Sequence, residues 1–214
     1  MAAKVTIVDY GMCNLLNVAR AFTHVGVDVD VTENPATAAT AERLVVPGVG
    51  AFEDSVLAVR EKGFDDAIRR FQSSGRPFLG ICVGMQMLFD ASEEFGEHAG
   101  LGILAGRVKA LSKVTTDGNP QRVPHIGWNG LVAPESGPGW QHTLLETTPI
   151  NSALYFVHSF AAVPDDPGVR LADCLYGGHR ICAAVQRDNI MATQFHPERS
   201  GELGLNVLRQ FMQI

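Results

Sequence analysis

An apolar stretch, Phe78-Leu79-Gly80-Ile81, runs into Cys82, and Val83-Gly84-Met85-Gln86 follows. A thiol framed as Gly-x-Cys-x-Gly between a strand pattern and a helix pattern is a nucleophile elbow with sulfur in place of the serine oxygen. The spacing has a steric cause. A sharp strand-to-helix turn strains the nucleophile's backbone, and side chains two residues to either side would collide, which glycine at 80 and 84 avoids. The turn puts the sulfur at a helix amino terminus, where the dipole favours thiolate, and aims the Val83 N–H at a developing oxyanion. A free cysteine also packs as a small hydrophobe, so the pattern becomes chemistry only with a base.

The segment Thr193-Gln194-Phe195-His196-Pro197-Glu198 offers one. In extended chain, residues two apart project to the same face, and Pro197 biases His196 toward that conformation while fixing its own φ. His196 and Glu198 then point the same way. The carboxylate accepts a hydrogen bond from one ring nitrogen, sets the tautomer and leaves the other nitrogen for a thiol. Read alone, His-Pro-Glu is equally a loop histidine beside an unrelated glutamate. With the elbow, in the order Cys…His…Glu, it makes a nucleophile, base and orienter.

The elements that must position these groups alternate in the first half of the chain. Strand patterns at 5–8, 27–31, 44–46 and 77–81 are interleaved with helix patterns at 15–22, 52–60, 64–71 and 85–90. Such βαβα order predicts a parallel sheet covered on both faces. The second half reads differently. Strands are expected at 108–114, 127–132 and 154–157, with Gly- and Pro-rich loops between about 115 and 149. Residues 181–186 and 190–195 flank Arg187-Asp188-Asn189 as a hairpin, and a closing helix runs from about 202 to 211. The sum is one domain spanning residues 1–214, a mixed sheet parallel at its centre with antiparallel strands at an edge.

Composition bounds the partners. Of 214 residues, 46% are hydrophobic and 19% charged, enough for a sizeable core, and the net charge of −6 comes without a run of Lys or Arg. Nucleic acid and anionic membrane are therefore not expected as partners. No window reaches the ~20 apolar residues that span a bilayer. The four cysteines, Cys13, Cys82, Cys174 and Cys182, lie far apart without a CxxC. That suits a reducing cytoplasm. Pro47-Gly48-Val49-Gly50 lacks the third glycine of a dinucleotide loop, because position 53 is Glu. His179 and Cys182 lack the paired spacing of a zinc site, and no metal or cofactor is called for.

Longer segments carry a resemblance: Asp9-Tyr10-Gly11-Met12-Cys13-Asn14-Leu15, Pro47 to Phe52, Pro124-His125-Ile126-Gly127-Trp128-Asn129, Tyr155-Phe156-Val157-His158-Ser159-Phe160 and Gln194 to Gly201. With the elbow, they resemble the Cys-His-Glu glutamine amidotransferases, and within these the glutaminase subunits of imidazole glycerol phosphate synthases. The resemblance implies a flavodoxin-like fold, with Cys82 as nucleophile, His196 as general base and acid and Glu198 as its orienter. It implies that the Gly48–Val49 peptide joins Val83 in the oxyanion hole after a reorientation driven by the nucleotide-loaded partner. Gly50, Gln86 and the backbone at His158, Ser159 and Phe160 would hold glutamine. The partner would be a (β/α)₈-barrel cyclase in a heterodimer, consuming ammonia to form imidazole glycerol phosphate and an aminoimidazole carboxamide ribonucleotide for histidine synthesis. His125 and Trp128 are candidates for the partner-facing surface. Cys13, Phe160 and Arg199 depart from the glycine, tyrosine and lysine usual in the family. A glutaminase subunit of pyridoxal phosphate synthase and a γ-glutamyl hydrolase are the rival readings.

Overall fold

The computed structural model of the chain describes residues 3–137 and 139–214. Its elements run β1 (Lys4–Val8), α1 (Leu15–His24), β2 (Asp28–Thr32), α2 (Pro35–Thr40), β3 (Leu44–Gly48), α3 (Phe52–Glu61), α4 (Phe64–Gln72), β4 (Phe78–Cys82) and a single turn, α5 (Val83–Gln86). The second half follows with β5 (Phe89–Ser92), β6 (His98–Ala99), β7 (Leu104–Ala110), β8 (His125–Val132), β9 (Ala153–His158), β10 (Phe160–Pro164), β11 (Arg170–Tyr176), β12 (His179–Arg187), β13 (Ile190–Thr193) and α6 (Gly201–Gln213).

Nine strands form one sheet in the order β2-β1-β3-β4-β13-β12-β11-β8-β9. Pairing is parallel from β2 to β13 and antiparallel from β13 to β9, so the mixed sheet expected from the sequence is present. Strands β3 and β4 are buried along their full length, as a strand covered on both faces must be. Right-handed crossovers divide the helices by the direction in which the chain moves along the sheet. Helices α1 and α6 pack together through Phe22 and Phe211, with ring centroids 6.2 Å apart. Helices α2, α3 and α4 gather on the other face.

Helix α2 and strand β11 are not expected from the sequence, and three further features depart from that reading. The segment expected to be helical over 85–90 is one turn followed by β5. Residues 87–90 bond outward instead, the carbonyls of Met87, Leu88 and Asp90 accepting from Leu101, Ile103 and Gly100 at 2.8 Å each. A short run as apolar and buried as Met85 to Phe89 reads the same as strand or helix. Strand β7 begins four residues earlier than expected and stops before Ser112, whose hydroxyl bonds the Val114 backbone. Strands β10, β7, β5 and β6 also form a second, four-stranded sheet, and this sheet carries the wall of the site opposite Cys82. The hairpin at Asp188-Asn189 is present, with Arg187 facing Ile190 and Asp188 at φ 52°.

Candidate active site

Cys82 ends β4 with φ 56° and ψ −111°, a backbone region that non-glycine residues avoid. The flanking glycines permit it. A Cβ at Gly84 would lie 1.9 Å from the Val46 carbonyl oxygen, and one at Gly80 would lie 2.7 Å from the Gly84 carbonyl oxygen. The chain after Cys82 is thus pressed against β3, and the sulfur is forced to the mouth of the sheet. The helix behind it differs from the sequence reading. One turn sums few peptide dipoles, so little of the macrodipole expected there reaches the thiol.

Parallel pairing of β4 with β13, Ile81 facing Thr193, delivers His196 beside Cys82. The His196 N–H donates to the Tyr155 carbonyl (2.9 Å), and its own carbonyl accepts from the Ser200 hydroxyl (2.6 Å). Nδ1 lies 2.8 Å from Glu198 Oε1, with both side chains buried. That contact assigns the proton to Nδ1 and directs Nε2 away from the carboxylate. Nε2 closes no hydrogen bond among the described residues. Burial pushes the imidazole's pKa down, but Cys82 and Glu198 outweigh it and the pKa is raised. The arrangement favours the imidazolium form of His196.

Cys82 and His196 border a cleft of about 290 Å³, joined by Val49, Gly50, Val83, Gln86, His158, Ser159 and Phe160. Glu198 lies behind His196, and Gly48 lies under the cleft floor, where a Cβ would meet the Tyr10 hydroxyl at 2.6 Å. All the residues expected from the sequence are thus at or directly behind one cleft. Val83 begins α5, so its N–H has no carbonyl a turn earlier to bond. The Val49 N–H, however, donates to the Met12 carbonyl at 3.1 Å. In this structure the Gly48–Val49 peptide does not offer its donor to the cleft.

Two hydrogen-bond chains fix the rest. Gln86 Nε2 donates to the Phe160 carbonyl (3.0 Å) and to Gln194 Oε1 (2.9 Å), while Gln194 Nε2 donates to Cys82 Sγ (3.6 Å). With both amide hydrogens spent, Gln86 offers a ligand only its oxygen. The Phe160 carbonyl also faces His158 Nδ1 (2.9 Å), His158 Nε2 faces His125 Nδ1 (3.0 Å), and His125 Nε2 faces Asn129 Nδ2 (3.3 Å). Carbonyls only accept, so each imidazole is neutral with its proton on Nδ1. Burial agrees, pushing both pKa values down to about 4.

Sequence reasoning missed three placements. Gln194, wholly buried, stood in the His-Pro-Glu segment, but only the β4–β13 register reveals that it touches the sulfur. Glu94 borders the cleft and accepts the Phe52 N–H at 2.7 Å, with no sequence signal beyond its charge. His125, expected on a partner-facing surface, is buried between Phe156 and Tyr176, at 5.0 and 4.1 Å between ring centroids. Cys174 and Cys182 are buried in β11 and β12, and His179 Nε2 contacts the Val114 carbonyl at 2.8 Å.

The model of the family described as glutamine amidotransferase class-I matches residues 6–214. The chain belongs to the class-I glutamine amidotransferase family. Among its relatives, imidazole glycerol phosphate synthase subunit HisH 1 of Legionella pneumophila (strain Lens) is 49% identical over 212 residues, covering 99% of this chain and 100% of the relative. Subunit HisH of Geobacter sulfurreducens is 43% identical over 209 residues, covering 97% of each. The fold is shared with PurLQS from Thermotoga maritima, with a TM-score of 0.76 at 19% identity over 100% of this chain and 99% of that one.

Beside the cleft, this amidotransferase exposes an aromatic and basic patch. Arg199 stacks its guanidinium 4.7 Å above the Tyr155 ring, and Trp128 meets the same ring edge-on at 6.0 Å. Trp128 and Ile126 are 57% and 59% exposed. Both lie on β8, which pairs with β9 at the end of the large sheet.

Proposed function

We propose that this chain is the glutaminase subunit of an imidazole glycerol phosphate synthase, hydrolysing glutamine and passing the ammonia to a (β/α)₈-barrel cyclase in a cytoplasmic heterodimer. The observation that carries the chemistry is the gathering of Cys82, His196 and Glu198 at one cleft, with the imidazole held between thiol and carboxylate. The relatives' names support the pathway and the existence of a synthase partner.

In this mechanism the Cys82 thiolate attacks the side-chain carbonyl carbon of glutamine. The N–H of Val83 stabilises the oxyanion, and the N–H of Val49 joins it once the peptide turns from Met12. Each such donor is worth roughly 3 kcal/mol. His196 gives its proton to the nitrogen, ammonia leaves, and a glutamyl thioester remains on Cys82. Water then attacks the thioester, His196 takes its proton, and glutamate departs with the thiol restored. Gln86 Oε1 and the Glu94 carboxylate suit the substrate's ammonium. Gly50 and the backbone at His158, Ser159 and Phe160 complete the glutamine pocket.

The partner requirement follows from ammonia itself, which is mostly protonated and non-nucleophilic in neutral water. Withholding the Val49 donor until the cyclase and its nucleotide are in place avoids waste. The Trp128, Tyr155 and Arg199 patch is the surface on which the cyclase docks. A coupled assay of glutamate release, with and without cyclase and nucleotide, tests this. The rate rises strongly on assembly. Full turnover by the isolated chain, unchanged on assembly, removes the gating. The absence of glutamate release in the loaded complex removes the assignment.

A further inference from the structure

The dipole of a one-turn helix contributes little to the Cys82 sulfur, so the thiolate needs other support, and Gln194 touches it. Strand β13 delivers this residue directly. Its N–H donates to the Ala183 carbonyl at 2.8 Å, and its side chain is enclosed between Cys82 and Gln86 with no exposure to solvent. The orientation of the amide is settled by chemistry. The Phe160 carbonyl accepts only, so Gln86 must present Nε2 to it at 3.0 Å. The second hydrogen on that nitrogen goes to Gln194 Oε1 at 2.9 Å. Gln194 therefore turns Nε2, the donor, toward Sγ at 3.6 Å.

We infer that Gln194 is a positioning residue for glutamine hydrolysis, donating an N–H to the Cys82 thiolate while holding Gln86 so that only its oxygen faces the substrate. The inference rests on the glutaminase reading above. A hydrogen bond to the charged form favours that form, and sulfur accepts well only as thiolate. The same amide that steadies the nucleophile also sets the polarity of the substrate pocket. A wholly buried Gln with one amide end on each of these groups is more than a space-filler, because an apolar side chain of equal length fills the same volume. The titratable groups around the sulfur are His196 after β13, Tyr10 after β1, His158 at the end of β9 and Glu94 across the cleft. None of them is altered by substitution at 194.

The test measures iodoacetamide modification of the Cys82 peptide against pH in the full chain, with Cys82→Ala as the blank, and then glutamine KM in the complex with the cyclase. Gln194→Met keeps length and removes both polar ends. Gln194→Glu keeps an oxygen for Gln86 but sets a carboxylate beside the sulfur. In Gln194→Met the alkylation midpoint moves to higher pH, the rate at pH 7 falls about tenfold, and KM rises several-fold. In Gln194→Glu the midpoint moves further, while KM stays within about twofold of the parent. Unmoved midpoints in both variants overturn the inference. Should a variant fail to fold, the Gln194 side-chain amide resonance in the unaltered chain decides. It must move with the Cys82 titration, and a resonance indifferent to that titration overturns the inference equally. Alkylation reads the sulfur without glutamine. Failure of the unaltered complex to release glutamate therefore sinks the glutaminase reading alone.

Discussion

Replacing Gly84 with alanine adds one methyl group at the tightest point of the elbow. Its Cβ would lie 1.9 Å from the Val46 carbonyl oxygen, whereas carbon–oxygen contacts settle at roughly 3.3 Å or more. The turn after Cys82 and strand β3 must therefore part by more than about 1 Å. Val46 cannot yield cheaply, because it sits mid-strand opposite Gly80 in the parallel β3–β4 ladder. Overpacking of this kind costs about 1–3 kcal/mol, and a 1 Å displacement at a reacting group costs about 10²-fold in rate. Two measurements separate these effects: the urea unfolding midpoint, and glutamate release per folded molecule in the loaded complex. Gly118→Ala is the control. Gly118 has φ +83° with nothing within 4 Å of a Cβ, so alanine there strains the backbone far from the cleft. The expected outcome is that both variants lose stability and only Gly84→Ala loses turnover. Parental turnover per folded molecule in Gly84→Ala would refute the steric account of the elbow.

Glu198→Gln keeps an oxygen for the 2.8 Å contact with His196 Nδ1 but removes the charge. Glutaminase kcat should fall about 10²-fold with KM little changed, as read by initial rates of glutamate release. Burial holds His158 neutral, its pKa lowered from 6.5 to about 4, so the unfolded chain binds the extra proton and stability rises with pH across that window. At 1.36 kcal/mol per pH unit, about 3 kcal/mol present above pH 6.5 is lost as pH falls to 4. His158→Gln should reduce the slope of urea midpoints between those limits, with buried His125, also lowered to about 4, supplying a remaining slope of the same sign. Asp173 is buried between Arg170 (2.6 Å) and Arg180 (3.3 Å). Asp173→Ala strands the Arg170 charge and should cost on the order of 3 kcal/mol by urea unfolding, with glutamate release per folded molecule unaffected.

The groups most legible in the sequence are those whose geometry is local. Two glycines around Cys82 announce the strained turn, and Pro197 between His196 and Glu198 announces two side chains on one face. The parallel strands were legible because their apolar runs are bounded by helix patterns. Long-range geometry was not. Gln194 belongs to the same segment as His196, yet its contact with Cys82 exists only because Thr193 pairs with Ile81. Residues 87–89 are apolar and buried, so periodicity did not separate a helix from the strand that starts the second sheet. His125 lies in a loop-like run of Pro, Gly and Asn, where only the packing of Phe156 and Tyr176 shows it to be interior. The Val49 N–H bond to Met12 joins two segments more than thirty residues apart, beyond any local pattern.

The account stands on a covalent bond forming at one sulfur. A glutamine-analogue electrophile incubated with the cyclase-bound chain, followed by mass analysis of its peptides, reads that bond directly. A single adduct on the Cys82 peptide, suppressed by excess glutamine and abolished in Cys82→Ala along with glutamate release, is the predicted result. An adduct on Cys13 instead, or glutamate release that survives Cys82→Ala, would contradict it.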